Sequence, residues 1–176
     1  IPQANASTYT LDDGSGESAL GGMPEGTTMI WMNQFNAVGE TVKITSIEVA
    51  WGPVADGTAA TVFLWSDPNG DGNPTDREVL SSLSVAVTNN DTDIFNLYDI
   101  ADADVTGSFF VGVEMVSPES KSWPMRLDKS DPSGKSWTVI GTAAPVHIGV
   151  DTTYNGDFMI RANGTTVTEA PEPATM

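Results

Sequence analysis

The 176-residue sequence contains no cysteine, and it has only seven lysines and arginines against 24 aspartates and glutamates. The lack of cysteine excludes disulfide bridges, thiolate metal sites and cysteine nucleophiles within this sequence. A formal net charge of −17 argues against a nucleic-acid partner, because neutralising phosphates requires a cationic face that seven scattered basic residues cannot build. Anionic membrane surfaces are disfavoured for the same reason.

Long apolar runs and helical periodicity are scarce as well. No stretch approaches the ~18–20 apolar residues that span a bilayer. No segment keeps a 3.6-residue repeat, because Gly, Pro, Asn and β-branched residues interrupt every candidate. The sequence begins with Ile1 and shows no charged, apolar leader, so we expect a mature chain whose signal peptide has been removed and which has no membrane span. A chain of this length can bury a core without cross-links, which predicts one domain.

Short apolar stretches separated by Gly, Pro, Asn and Asp predict β-strands along the whole sequence. Residues 42–51 alternate apolar and polar side chains with a change of phase at Thr45-Ser46, which indicates a bulge. Residues 107–116 are the most apolar and predict a central strand. The other predicted strands cover 28–35, 59–65, 78–87, 92–97, 123–127, 136–140 and 157–161. About nine or ten short strands predict an all-β fold, an antiparallel β-sandwich.

Four segments resemble those of a class of secreted bacterial jelly-roll-like domains: Asp12-Asp13-Gly14, 62–67, 109–113 and 158–162. The resemblance implies a jelly-roll-like sandwich with an accessory, adhesive or surface-layer role, and it implies no chemistry. On this basis we expect residues 1–164 to form the domain, with an N-terminal arm at 1–10. Residues 165–176 would be a Thr/Pro-rich tether or sorting-signal remnant.

The last six residues, Pro171-Glu172-Pro173-Ala174-Thr175-Met176, have no core-forming capacity, and both prolines remove backbone donors. The string resembles the start of the PEP-CTERM sorting signal of Gram-negative bacteria. In that family an apolar helix and an Arg-rich end follow the motif, and an exosortase processes the protein at the envelope. The apolar helix and the Arg-rich end are missing from this sequence. The resemblance implies a secreted or cell-surface protein with an exosortase-type processing enzyme as a partner.

Residues 67–78 fit the twelve-residue calcium-loop pattern, with oxygen-bearing side chains at positions 1, 3, 5 and 12 and Gly72 at position 6. Alternate residues of a curled loop point to a common centre, and oxygen ligands without His or Cys suit Ca²⁺. Predicted strands flank the loop, so it would join a β-hairpin, similar to the loops of dockerins and bacterial surface proteins. An Asp/Asn/Gly-rich turn without metal is the alternative. The predicted ligands are Asp67, Asn69, Asp71, Asn73 through its carbonyl, Asp76 and Glu78, where Asp76 competes with Glu78 to supply the closing carboxylate.

Other acidic turns are expected to be solvated surface features. Asp12, Asp13 and Glu17 could supply a second cation site in the Gly-rich loop 12–26, although a solvated turn is the simpler interpretation. Two further turns hold acidic residues at 99, 102 and 104 and at 128 and 131. His147 is the single histidine, and no catalytic arrangement can be argued from it.

Five tryptophans suggest stacking against sugars. Trp31, Trp51 and Trp65 lie inside apolar strands and are predicted to be core residues. Trp123 and Trp137 are flanked by polar residues, so they are the candidates for exposed ligand-binding rings.

These observations favour a non-catalytic, calcium-stabilised protein of the extracellular matrix or cell surface. We expect it to self-associate as a homo-oligomer or polymer, in a filament or a layer. The alternative is a carbohydrate-binding module that recognises extracellular polysaccharide through Trp123, Trp137 and calcium-ordered loops. No nucleophile–base motif supports a hydrolase.

Overall fold

The structure, a computed structural model, describes residues 4–149 and 154–167. The Pro-Glu-Pro string on which the sorting-signal prediction depends lies outside these ranges. Within them the chain forms β-strands, a 3-10 turn at Pro74–Asp76 and no α-helix, and so no helix there is long and apolar enough to cross a membrane. The strands are β1 (Ala6–Tyr9), β2 (Ser18–Leu20), β3 (Thr28–Val49), β4 (Ala59–Ser66), β5 (Glu78–Ala86), β6 (Asn96–Val116), β7 (Met125–Asp128), β8 (Ser136–Ile140), β9 (Val146–Ile148), β10 (Asp157–Phe158) and β11 (Ile160–Thr166).

Two antiparallel sheets form a sandwich, which confirms the predicted fold class. The large sheet has the order β1-β11-β3-β6-β4-β5, with β8 paired to β3 and β9 paired to β8. The small sheet has the order β10-β7-β2. Apolar side chains of the small sheet, among them Met125, Leu127 and Phe158, join the main core that the large sheet provides. An isolated bridge between Trp51 and Met125 links the two layers.

The two central strands are longer than the sequence predicted, because the chain bends where an interruption was expected. β3 joins the predicted strand 28–35 to most of 42–51, and β6 contains all of 107–116 but only the last two residues of 92–97. The acidic turn expected at residues 99, 102 and 104 lies within β6. Gly39 and Gly107 have φ values of 74° and 69°, and the pairing of β3 with β6 shifts register between Ala37 and Thr41. A second shift lies between Ile44 and Ser46, where the bulge was predicted. The bent β3 therefore pairs with β8 along its first half and with β11 along its second half.

Both ends of the predicted domain contribute to the large sheet. β1, inside the predicted N-terminal arm, pairs along β11 from Ala6 opposite Thr165 to Tyr9 opposite Ala162. The Tyr9 ring meets the Phe109 ring edge-on, with 5.1 Å between centroids. β11 continues to Thr166, two residues past the boundary expected at residue 164.

The large sheet carries apolar side chains on both faces. The main core lies on its inner face and contains Trp31 and Trp51, which are 1% and 0% exposed. A smaller cluster on its outer face is built around Trp65, which is 4% exposed. The prediction that these three tryptophans are core residues is confirmed. The outer-face cluster consists of Met32, Trp65, Phe110 and Val139, with Ile30, Phe63 and Trp137 packed against it.

Candidate metal centre

The predicted calcium loop connects β4 to β5, two neighbouring antiparallel strands, and Ser66 pairs with Glu78 at the base of the hairpin. The Asn73 side chain accepts a hydrogen bond from the Thr75 N–H at 3.1 Å and so begins the 3-10 turn. Gly72 has φ of 77°, a backbone conformation that favours glycine. The local chemistry of the sequence therefore folds the loop as a tight curl between strands, as predicted.

The loop brings three carboxylates together. One oxygen each from Asp67, Asp71 and Asp76 lie within 4.8 Å of one another. Asp67 is 8% exposed, and its Oδ2 accepts a hydrogen bond from the Gly72 N–H at 2.8 Å. Asp76 Oδ2 accepts one from the Asn69 N–H at 3.2 Å. Like charges at this separation repel each other, so without a cation the arrangement is unfavourable.

The other oxygen of two of these carboxylates lacks a partner. Asp67 Oδ1 and Asp76 Oδ1 are both buried and accept no hydrogen bond within the described part of the chain. A buried acceptor without a donor costs about 1–3 kcal/mol, and such groups are rare in native proteins. A divalent cation at this position would serve both oxygens and cancel the repulsion, which fits hard oxygen ligands.

The remaining predicted ligands have different roles in the loop. Asn69 Oδ1 accepts the Asp71 N–H at 3.0 Å, and Asp71 Oδ1 accepts the Asn73 N–H at 2.8 Å, so these side chains also shape the loop. The Asn73 side chain caps the 3-10 turn, and the binding of a cation by its carbonyl stays a prediction. Glu78 is exposed on β5 and lies outside the acidic group, so Asp76 supplies the third carboxylate of the group.

A second acidic group forms from residues of two separate turns: Asp13, Glu17 and Asp128 place oxygens within 4.8 Å of one another. Asp12, expected to belong with Asp13 and Glu17, instead forms a salt bridge with Arg161 at 2.6 Å, and its buried side chain is unavailable to a cation.

The Asp128 carboxylate is saturated by donors, which distinguishes this group from the loop. It accepts hydrogen bonds from the Asp13 N–H at 2.7 Å, the Ser130 N–H at 2.8 Å and the Ser130 hydroxyl at 2.6 Å. Burial would raise the pKa of Asp128, but these hydrogen bonds outweigh it and lower the pKa. No pattern in the sequence predicts that the two turns meet, because they are far apart in the chain.

The two candidate sugar-binding tryptophans lie in different surroundings. Trp123 is 40% exposed and sits in the segment before β7, against Gly22. Trp137 is half-buried on β8 in the outer-face cluster. Its ring stacks on His147 with 4.3 Å between centroids and 14° between planes, and the ring nitrogen of His147 contacts the Gly134 carbonyl. Nothing among the described contacts joins the two tryptophans into one platform.

No family model matches the sequence, and no curated protein matches it. The fold is similar to that of the clostridial cysteine protease Cwp84 after propeptide cleavage, at 16% identity and a TM-score of 0.58, covering 93% of this chain and 40% of that chain. It is also similar to the cysteine protease and lectin-like domains of Cwp84, a surface layer associated protein of Clostridium difficile. That match has 15% identity and a TM-score of 0.55, covering 95% of this chain and 37% of that chain.

The chain thus spans about two-fifths of the length of either neighbour. At this identity the similarity establishes the fold alone. The cysteine of a cysteine protease has no counterpart here, because this sequence contains no cysteine.

Proposed function

We propose that the protein is a non-catalytic, calcium-stabilised protein of the extracellular matrix or cell surface, and that Ca²⁺ binds in the loop between β4 and β5. The observation that carries the proposal is the pair of buried, unpartnered oxygens Asp67 Oδ1 and Asp76 Oδ1 beside the Asp71 carboxylate. They lie in a loop whose spacing fits a calcium pattern. Asn69 and the Asn73 carbonyl would complete the ligand set.

The role of the ion would be structural, because the loop packs against the sheet. The Arg77 guanidinium lies 5.4 Å from the centroid of the Trp65 ring. Gly72 lies so close to Gln34 that an added Cβ would approach Gln34 Nε2 to 2.7 Å. An ion that fixes the conformation of the loop would also keep the loop packed over the outer-face cluster.

Thermal melting with and without Ca²⁺ tests the proposal. We expect the midpoint to rise on going from excess chelator to millimolar Ca²⁺, and to rise less with Mg²⁺, which demands a smaller octahedral shell. An unchanged midpoint between chelator and millimolar Ca²⁺ would rule out the calcium site.

Secretion and self-association form the second part of the proposal. The surface layer description of a structural neighbour and the net charge of −17 are compatible with an extracellular protein. β1 and β5 are the first and last strands in the main order of the large sheet. Each therefore presents an edge with which a strand of another molecule could pair. Size-exclusion chromatography and electron microscopy of protein from the producing cells should show oligomers, layers or filaments, and only monomers would count against assembly.

A second candidate function is carbohydrate binding. It is favoured by the lectin-like description of part of one structural neighbour and by aromatic side chains near the surface, including Trp123 and Trp137. An array of glycans would test it, and no bound glycan would exclude the range of sugars tested.

A further inference from the structure

We propose that the outer face of the large sheet binds a neutral sugar residue in the hollow beside Phe63. The inference rests on the second candidate function, carbohydrate binding, and gives it a site other than Trp123. It does not depend on the calcium loop, because none of the residues that would bind the sugar is a proposed calcium ligand.

The pairing of the strands places one continuous row of side chains across this face. Six residues stand opposite one another on adjacent strands. Neighbouring strands are about 4.8 Å apart, so the rings at positions 137 and 63 are separated by three strand spacings, roughly 14 Å. The row runs His147, Trp137, Met32, Gly112, Phe63 and Ser82. Position 112 has no side chain, and Met32 packs against it.

The next row on the same face is polar. Glu114 on β6 stands opposite Thr61 on β4, and Thr61 stands opposite Ser84 on β5. Cross-strand neighbours have Cβ atoms about 5 Å apart. Among the hydrogen bonds of the described residues, none engages the Thr61 or Ser84 hydroxyl or the Glu114 carboxylate. The two hydroxyls are thus lined up without a hydrogen-bond partner among the described residues, and the Glu114 carboxylate has the Arg77 guanidinium as a charged neighbour.

These polar side chains line an open hollow of about 550 Å³, with Thr58, Val116 and Pro118 at its border. The volume lies in the range of roughly 300–1,000 Å³ that is typical of small-molecule sites. The hydroxyl of Thr58 donates to the Ala55 carbonyl at 2.6 Å and therefore holds the rim in place.

An aromatic stack ends next to the hollow. The Phe63 and Trp65 rings are parallel within 9°, with 4.8 Å between centroids, and Arg77 lies over Trp65. Because β4 carries Thr61, Phe63 and Trp65 on one face, the side of the half-buried Phe63 ring that points away from Trp65 is directed toward the Thr61 row, next to the residues that line the hollow. A sugar could place the C–H groups of its ring against Phe63 and its hydroxyls against the polar row.

Charge selects the kind of sugar. Glu114 is the acidic residue among those that line the hollow, Arg77 is a cation whose charge interacts with it, and the chain has a net charge of −17. A uronate or a phosphorylated sugar would be repelled, whereas a neutral sugar offers hydroxyl donors to the carboxylate. The site therefore fits a neutral polysaccharide.

The test is affinity electrophoresis of the calcium-saturated protein in native gels containing mannan, xylan, dextran or hydroxyethylcellulose, with alginate as the anionic comparison. We expect retardation by at least one neutral polymer and none by alginate. Thr61→Val and Glu114→Gln should weaken the affinity roughly fivefold each, the factor expected for one lost hydrogen bond. Phe63→Ala should weaken it further.

Matched controls are Thr142→Val and Glu40→Gln, two exposed positions away from the hollow. Each should bind as the wild type does. Thermal melting establishes that every variant is folded, and if Phe63→Ala is not, Thr61→Val and Glu114→Gln decide the matter. No retardation by any neutral polymer would overturn the proposal. So would binding that survives the substitutions in the hollow, or that is lost in Trp123→Ala alone. A melting response to Ca²⁺ tests the calcium site separately.

Discussion

Replacing Asp76 by Asn is expected to change the stability of the protein in opposite directions with and without calcium. In chelator, the substitution removes one of three carboxylates whose oxygens lie within 4.8 Å and leaves an amide that can still accept the Asn69 N–H. It also removes a charge from a buried oxygen that has no donor. The variant should therefore melt at a higher temperature than the wild type in chelator. In Ca²⁺ it should melt at a lower temperature, because it lacks a charged ligand.

The size of the effect follows from linkage. A ligand at 100 times its dissociation constant stabilises the folded state by about 2.7 kcal/mol. For a domain of 150–250 residues, 1 kcal/mol shifts the midpoint by about 2–4 °C, so the wild type should gain roughly 5–11 °C from Ca²⁺. If the loss of one carboxylate weakens binding tenfold, the gain falls by about 1.4 kcal/mol, or roughly 3–6 °C.

The assay is differential scanning calorimetry of the wild type, Asp76→Asn and Glu78→Gln, each in excess chelator and in millimolar Ca²⁺. Glu78→Gln is the matched control, since it changes an exposed carboxylate at the end of the same loop and should respond to Ca²⁺ as the wild type does. Asp76 is not a calcium ligand if Asp76→Asn melts lower than the wild type in both conditions, or if Glu78→Gln loses the calcium response and Asp76→Asn keeps it.

Three further predictions concern the folded domain. Asp12→Ala should lower the free energy of unfolding by about 3 kcal/mol in urea titrations, because it leaves Arg161 partly buried without the carboxylate that it contacts at 2.6 Å; an effect below 1 kcal/mol would contradict this. The pKa of Asp157 is raised, first by burial. Its folded form therefore binds a proton more readily than the unfolded form does, and the resulting stability is present at low pH and lost as the pH rises from about 4 through the raised pKa. Urea unfolding at pH 3.5 and 7 should show Asp157→Asn gaining stability relative to the wild type at the higher pH, and a relative loss would contradict the sign. Gly112→Ala should lower the free energy of unfolding by about 2 kcal/mol or more, because its Cβ would overlap the Trp31 carbonyl, while Ser84→Ala on the open face should leave it nearly unchanged in the same urea titrations.

Much of the fold could be predicted because a strand is recognised from the pattern of a few consecutive residues. Segments 59–65 and 136–140 alternate or carry β-branched residues and end at turn residues, and β4 and β8 occupy almost the same ranges. The short strands β2 and β9 were missed, because three residues carry too little alternation to be recognised and depend on the partner strand for their pairing. β3 was divided around Gly39, and the 98–106 part of β6 was interpreted as an acidic turn, since the sequence does not distinguish a bend within a strand from a turn between strands.

Short-range features follow from the order of the residues alone: the alternation that makes the strands, and the spacing of oxygens from Asp67 onward that curls the β4–β5 loop. Local backbone geometry is enough for these, because the interacting groups are a few residues apart. Tertiary structure alone decided that Asp128 meets Asp13 and Glu17 while Asp12 turns to Arg161. It also decided that Thr61 stands between Glu114 and Ser84 beside the Phe63 ring. The physical reason is register: which side chains become neighbours across a sheet depends on the packing of the whole core, and a shift of one residue would send each of them to the opposite face.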